Sequence, residues 1–163
     1  MVIAVDFDGT CVTHEYPKIG KEIGAVPVLK KLVDKGHQLI LYTMRSGKEL
    51  EDAKKWFADN KISLYGVQFN PTQKNWTASN KCYAQLYIDD AALGCPLKQS
   101  DLKFKEEEFL NKYNYSPFLS PKHNDGFCYY KVARHYVDWK RVEELLEKME
   151  IWKKIVGYIK MNV

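Results

Sequence analysis

Val2 to Phe7 is a short, β-branched and almost wholly apolar run that meets carboxylates at Asp6 and Asp8, the pattern of a central strand buried on both faces of a parallel sheet. After a polar loop containing Pro17, Gly20 and Gly24, residues 26–34 place Val26, Leu29, Leu32 and Val33 on one helical face, and Gly36 supplies a stop. Gln38 to Thr43 reads as a second buried strand. Ser46, with Glu49 three residues on, offers a capping box for a helix whose inner stripe is Leu50, Ala53 and Phe57. Tyr65 to Phe69 is a third strand, closed by a turn at Asn70 and Pro71, and Gln85 to Ile88 a fourth that again ends in carboxylates.

Strands that alternate with helices predict an α/β fold with a parallel sheet and right-handed crossovers. From Asp138, an N-cap, to about Ile159, the residues Val142, Leu145, Leu146, Met149, Val156 and Ile159 recur at helical spacing and describe a long closing helix over the sheet. Between them lies a stretch rich in Lys, Glu and aromatics, 99–136. Its prolines and Asp125-Gly126 turn signal suggest an insertion or hairpin within a single domain spanning 1–163.

With 163 residues, 45% hydrophobic and 13% aromatic, the chain suffices for one packed core. The formal charge of +4 is evenly spread: residues 1–100 carry 13 basic and 11 acidic groups, without the clustered Lys and Arg of a nucleic-acid-binding face. No basic segment precedes the first apolar run, and no run reaches the roughly 18 residues needed to cross a bilayer, so a cytoplasmic protein without membrane contact is expected. Cys11, Cys82, Cys95 and Cys128 form no Cys-x-x-Cys pair and are read as reduced thiols rather than zinc ligands.

In an open parallel sheet, ligands bind beyond the carboxyl ends of the strands. Three predicted strands end there in polar residues: Asp6 and Asp8 after the first, Thr43 followed by Arg45 and Ser46 after the second, Asp89 and Asp90 after the fourth. Lys81 lies in the connection entering the fourth, with Lys74 as a competitor. Several carboxylates with a lysine and a hydroxyl suit phosphoryl transfer around a hard cation such as Mg2+, which takes oxygen ligands and offsets repulsion between a carboxylate nucleophile and an anionic phosphate.

The run Asp6-Phe7-Asp8-Gly9-Thr10 after an apolar strand resembles the first motif of the haloacid dehalogenase-like superfamily; Thr43 resembles the second, Lys81 the third, and Asp89-Asp90 the fourth, all in order. The loop His14-Glu15-Tyr16-Pro17 with Ile19 and Gly20, and Val137-Asp138-Trp139, are similar to a group of small bacterial and phage members without a large cap domain. The resemblance implies a Rossmann-like three-layer sandwich. It implies Asp6 as the nucleophile that forms an aspartyl-phosphate and touches Mg2+, and Asp8 as acid then base, with its backbone carbonyl a further metal ligand. Thr43 and Lys81 would hold the phosphoryl group, Lys81 also fixing Asp6. Asp89 would be the nearer metal ligand, with Asp90 in support. Arg45, Ser46 and His14 are candidate substrate contacts, weighed against a surface charge, a helix cap and an exposed loop histidine.

The superfamily's usual cap positions leave no room here. The stretch from Asp8 to Thr43 already holds a helix and a strand, as does that from Thr43 to Lys81. An open site is therefore expected, which suits a bulky or macromolecular phosphate, or a small-molecule phosphate ester if a second copy of the chain or the 99–136 stretch closes over it; a nucleic-acid end is disfavoured by the even charge. The expected reaction is hydrolysis of a phosphomonoester. The rivals are a phosphotransferase or phosphomutase using the same intermediate, and a binding protein that keeps the fold without the reaction.

Overall fold

The computed structural model describes residues 1–98 and 135–149. Along the chain come β1 (Val2–Val5), α1 (Ala25–Asp34), β2 (Gln38–Leu41), α2 (Gly47–Asp59), β3 (Gly66–Val67), a 3₁₀ turn (Gln73–Asn75), β4 (Leu86–Ile88), β5 (Leu97–Lys98) and β6 (Tyr136–Val137). A last helix, α3, occupies 139–149 of the described chain. The result is a Rossmann-like α/β fold around a central parallel sheet. Strand order is β3-β2-β1-β4, with Val5 level with Leu41 on one side and Ile88 on the other.

That order positions the site. From β1 the chain steps to β2 and β3 in one direction, then crosses back to lay β4 on the far side of β1, so the strand order reverses at β1. Connections leave such a point to opposite faces and open a crevice at its carboxyl end. One core cluster gathers Ile3, Val5, Leu39 and Leu41 of the sheet with helical residues that include Leu29 and Leu32 of α1, Phe57 of α2, and Trp139 and Val142 of α3. Ala4 and Ile40 alternate to the other face and are buried as well.

Several predicted boundaries shift. In α1 the fully buried positions are Ala25, Val28, Leu29 and Leu32, with Val26 and Val33 only packed against the cluster. β2 stops at Leu41, two residues before Thr43, and β3 shrinks to Gly66–Val67. Both have one cause. Gln68 adopts a left-handed backbone (φ 64°), which ends β3, and its side-chain amide takes over the pairing, accepting from Thr43 N–H (3.1 Å) and donating to the carbonyl oxygens of Thr43 and Arg45.

Ser46 is the N-cap of α2 but its exposed side chain makes no capping hydrogen bond, so the predicted capping box does not form. Asp138 does cap α3: its Oδ1 accepts from Arg141 N–H at 3.3 Å and its carbonyl from Val142 N–H at 2.9 Å. α3 lies beside α1, where Lys31 Nζ donates to Glu143 and Glu147, each at 2.7 Å. The predicted continuation to Ile159 lies outside the described residues, as does nearly all of 99–136; its last residue, Tyr136, pairs in β6 antiparallel to β5, setting it level with Lys98. Among the described residues, no helix is long and apolar enough to cross a membrane, and Cys11, Cys82 and Cys95 are free thiols.

Candidate functional site

Asp6 is the first residue beyond β1, and its N–H donates to the carbonyl of Ile88 at 3.0 Å, pinning it against the end of β4 where Asp89 and Asp90 follow. The carboxylates of Asp6, Asp89 and Asp90 each bring an oxygen to within 4.8 Å of the others. Desolvation by burial pushes the Asp6 carboxyl up to about 7 from an ordinary 3.8; the neighbouring Asp89 and Asp90 charges add to the rise, while a hydrogen bond from the Phe7 backbone and one from Thr10 oppose it. Three carboxylates at this spacing, with no lysine or arginine paired to Asp6 among the described residues, fit a hard divalent cation held by oxygen. Asp89 Oδ1 also accepts from Ala91 N–H at 2.8 Å, which fixes the turn after β4.

The loop after β1 is wound tightly. The N–H groups of Thr10, Cys11 and Val12 all converge on the carbonyl of Phe7, and Gly9 N–H donates to the carbonyl of Val12 at 2.7 Å. Thr10, fully buried, donates its hydroxyl to Asp6 Oδ2 (3.2 Å) and accepts from Asp90 N–H (3.1 Å), tying the first and fourth strand ends together. Gly9 is required here: φ is 83°, and a β-carbon on it would lie 2.0 Å from His14 Nε2 and 2.7 Å from Asp90 Oδ2. From the far end of the chain, Val137 N–H donates to the Gly9 carbonyl (2.9 Å) and the Trp139 indole to the Thr10 carbonyl (2.6 Å). Burial also drives the Cys11 thiol far above its ordinary range, so it stays an inert core thiol.

Asp8, two residues beyond Asp6, stands outside the cluster. Arg45 Nε and Nη2 donate to its two oxygens at 2.7 Å each, a bidentate fork. Arg45 is 2% exposed; its remaining bonds run to the carbonyls of Pro17 (3.0 Å) and Lys18 (2.8 Å), and its guanidinium lies over the rings of Phe7 and Tyr16. The surface-charge reading of Arg45 is thereby overturned. Four of its five N–H donors are committed within the protein.

Thr43 is buried, and its hydroxyl accepts from Arg45 N–H at 3.3 Å, leaving its proton for another acceptor. Lys81 is exposed and forms no ion pair with Asp6. What holds its loop is Gln73, nearly buried, whose amide donates to the carbonyls of Ser79 and Lys81 and accepts from Tyr83 N–H, each at 2.7 Å. Lys74 is exposed too, with Nζ over the Phe69 ring at 5.7 Å. His14 is brought in: Nε2 lies 3.0 Å from Asp90 Oδ2. Thr10, Gln68 and Gln73 are not among the residues that strand and motif spacing single out, although Thr10 stands inside the Asp6–Thr10 run.

Sheet and site together define a Rossmann-like α/β protein with a candidate cation centre at its strand-order reversal. No family model matches the chain. It is similar to the solved structure of a conserved protein from Bacteroides thetaiotaomicron, with a TM-score of 0.54 and 43% identity, covering 58% of this chain and 78% of the other. The chain belongs to the same family as that Bacteroides protein. It is also 27% identical over 108 residues, 65% of the chain, to 1-aminocyclopropane-1-carboxylate synthase 9 of Arabidopsis thaliana. The chain spans only 21% of that enzyme's length, too little to carry its activity across.

Proposed function

We propose that the chain is a Mg2+-dependent phosphomonoester hydrolase of the haloacid dehalogenase-like class, working in the cytoplasm on a small-molecule phosphate ester. One observation carries this reading: the Asp6 carboxylate stands at the strand-order reversal within 4.8 Å of the Asp89 and Asp90 carboxylates, and among the described residues no lysine or arginine pairs with it. Such repulsion is costly unless a cation and a chemical task accompany it.

Asp6, Asp89 and Asp90 would hold the Mg2+, which supplies charge compensation for an anionic phosphate. Asp6 attacks phosphorus in line; the P–O bond to the alcohol breaks as the Asp6–P bond forms, and water then cleaves the acyl phosphate, returning Asp6 and inorganic phosphate. Asp8 protonates the leaving alkoxide and afterwards takes the proton from water. Each Asp8 oxygen accepts one N–H from Arg45 and retains a second lone pair through which a proton can pass while the fork holds its orientation. The Thr43 hydroxyl donates to a phosphoryl oxygen, and Lys81 reaches in from its exposed position to neutralise the bound phosphoryl group. The free thiols suit a reducing compartment.

The test is release of phosphate from a panel of sugar phosphates, nucleotides and a 3′-phosphorylated oligonucleotide, with and without Mg2+, by wild type and Asp6→Asn. The expected result is Mg2+-dependent turnover that falls by at least about 10³-fold in the variant. Equal turnover by the two proteins would sink the assignment of Asp6. Phosphate passed to an added alcohol in preference to water would replace the hydrolase with a phosphotransferase.

A further inference from the structure

His14 meets Asp90 from a loop, and that loop is held by a residue that makes no hydrogen bond to Asp90. Residues 13–21 form a closed excursion. At its base Thr13 N–H donates to the Lys21 carbonyl (2.9 Å) and Lys21 N–H to Thr13 Oγ1 (2.8 Å). The two arms are pressed together at Gly20, where a β-carbon would lie 2.0 Å from the Thr13 carbonyl oxygen. The apex carries exposed Tyr16, Pro17 and Lys18, and there Arg45 takes hold through the Pro17 and Lys18 carbonyls and the face of Tyr16. His14 projects from the first arm to Asp90 Oδ2.

We infer that Arg45 is a positioning residue for the cation centre: by clamping the apex of the 13–21 loop to Asp8, it delivers His14 to Asp90 and so orients a carboxylate it does not touch. The inference rests on Asp90 serving the centre described above. Its physical basis is rigidity. A nearly buried guanidinium spends four N–H bonds on one carboxylate and two backbone carbonyls, and a planar fork fixes direction as well as distance. With its base closed and its apex fixed, the loop has little freedom to withdraw His14. Partners that orient a ligating carboxylate typically change metal affinity about 10- to 100-fold when removed.

A double-mutant cycle read by Mn2+ binding, followed by electron paramagnetic resonance with Mg2+ as competitor, tests this without reference to turnover. His14→Ala and Arg45→Met should each weaken Mn2+ affinity by about 10-fold, and the double variant should lose no more than either alone, since both changes break the same linkage. Arg45→Lys keeps the charge without the fork and should weaken binding as Arg45→Met does; it decides the matter if Arg45→Met fails to fold by circular dichroism. Trypsin should cleave after Lys18 faster in the Arg45 variants and at the wild-type rate in His14→Ala. Wild-type affinity in Arg45→Lys, or losses that add fully in the double variant, would overturn the coupling while the cation centre stands. Absence of Mn2+ binding in the wild type would overturn both.

Discussion

Asp6 and Asp8 leave the same strand two residues apart, and the fold treats them in opposite ways. Asp6 enters a crowd of carboxylates in a desolvated crevice with no cationic partner among the described residues, whereas Asp8 receives a bidentate fork from a buried arginine. Identical side chains on neighbouring strand-end positions thus become one group held at an energetic disadvantage and one fully compensated. The difference separates a cluster of mutually repelling carboxylates from a joint that holds the loops around it.

The largest expected effect comes from breaking the compensated side. Arg45→Met leaves Asp8 without a partner beside a vacated guanidinium site and should lower unfolding free energy by about 3 to 5 kcal/mol in urea titration; adding Asp8→Leu should restore part of it. A loss well under 1 kcal/mol would mean that the fork is solvent-screened and the comparison wrong.

Next is the uncompensated side, read by pH. Below about pH 4 Asp6 is protonated in both folded and unfolded chains, so its contribution to stability is complete there. Between pH 4 and 7 the unfolded chain releases this proton while the folded chain keeps it, and stability falls, by at most about 4 kcal/mol for a rise from 3.8 to about 7. In the metal-free protein Asp6→Asn should flatten this fall, and Mg2+ should raise the wild-type melting temperature more at pH 8 than at pH 5. A pH profile indifferent to both would show Asp6 to be already balanced.

The smallest expected effect lies where the two sides meet. Gly9→Ala forces a β-carbon into His14 and Asp90 at a left-handed position, costing about 1 to 2 kcal/mol of stability in thermal melts. An unchanged melting temperature would mean that His14 moves aside freely.

What the sequence revealed about this site depended on the range of the interactions. Asp6, Asp89 and Thr43 were legible because an apolar run that ends in a polar residue marks the carboxyl edge of a parallel strand, and order along the chain sufficed to set them at one edge. Arg45 was not, because nothing local separates a buried fork from a surface charge; its partners, Asp8, Pro17 and Lys18, come together only when β2 lies beside β1. Gln68 and Gln73 were invisible for a related reason: they replace backbone pairing with side-chain amides, and no spacing rule announces that. At Ser46 the local rule found the right position and the wrong bond. Lys81 fell in the expected connection, but its exposed side chain leaves Asp6 to other company.

The bonds from Val137 and Trp139 to the carbonyls of Gly9 and Thr10 have a consequence in time. They join points 129 residues apart for the indole bond, among the most distant contacts of the described residues. Contacts of such separation carry the greatest loop-closure cost and generally form late. During synthesis the strand bearing Asp6 emerges well before β6 and α3, and the turn that aligns Asp6 with Asp90 receives these two fastenings only after residue 139 has left the ribosome. The turn beneath the acidic cluster thereby stays unfinished until the chain reaches the start of α3.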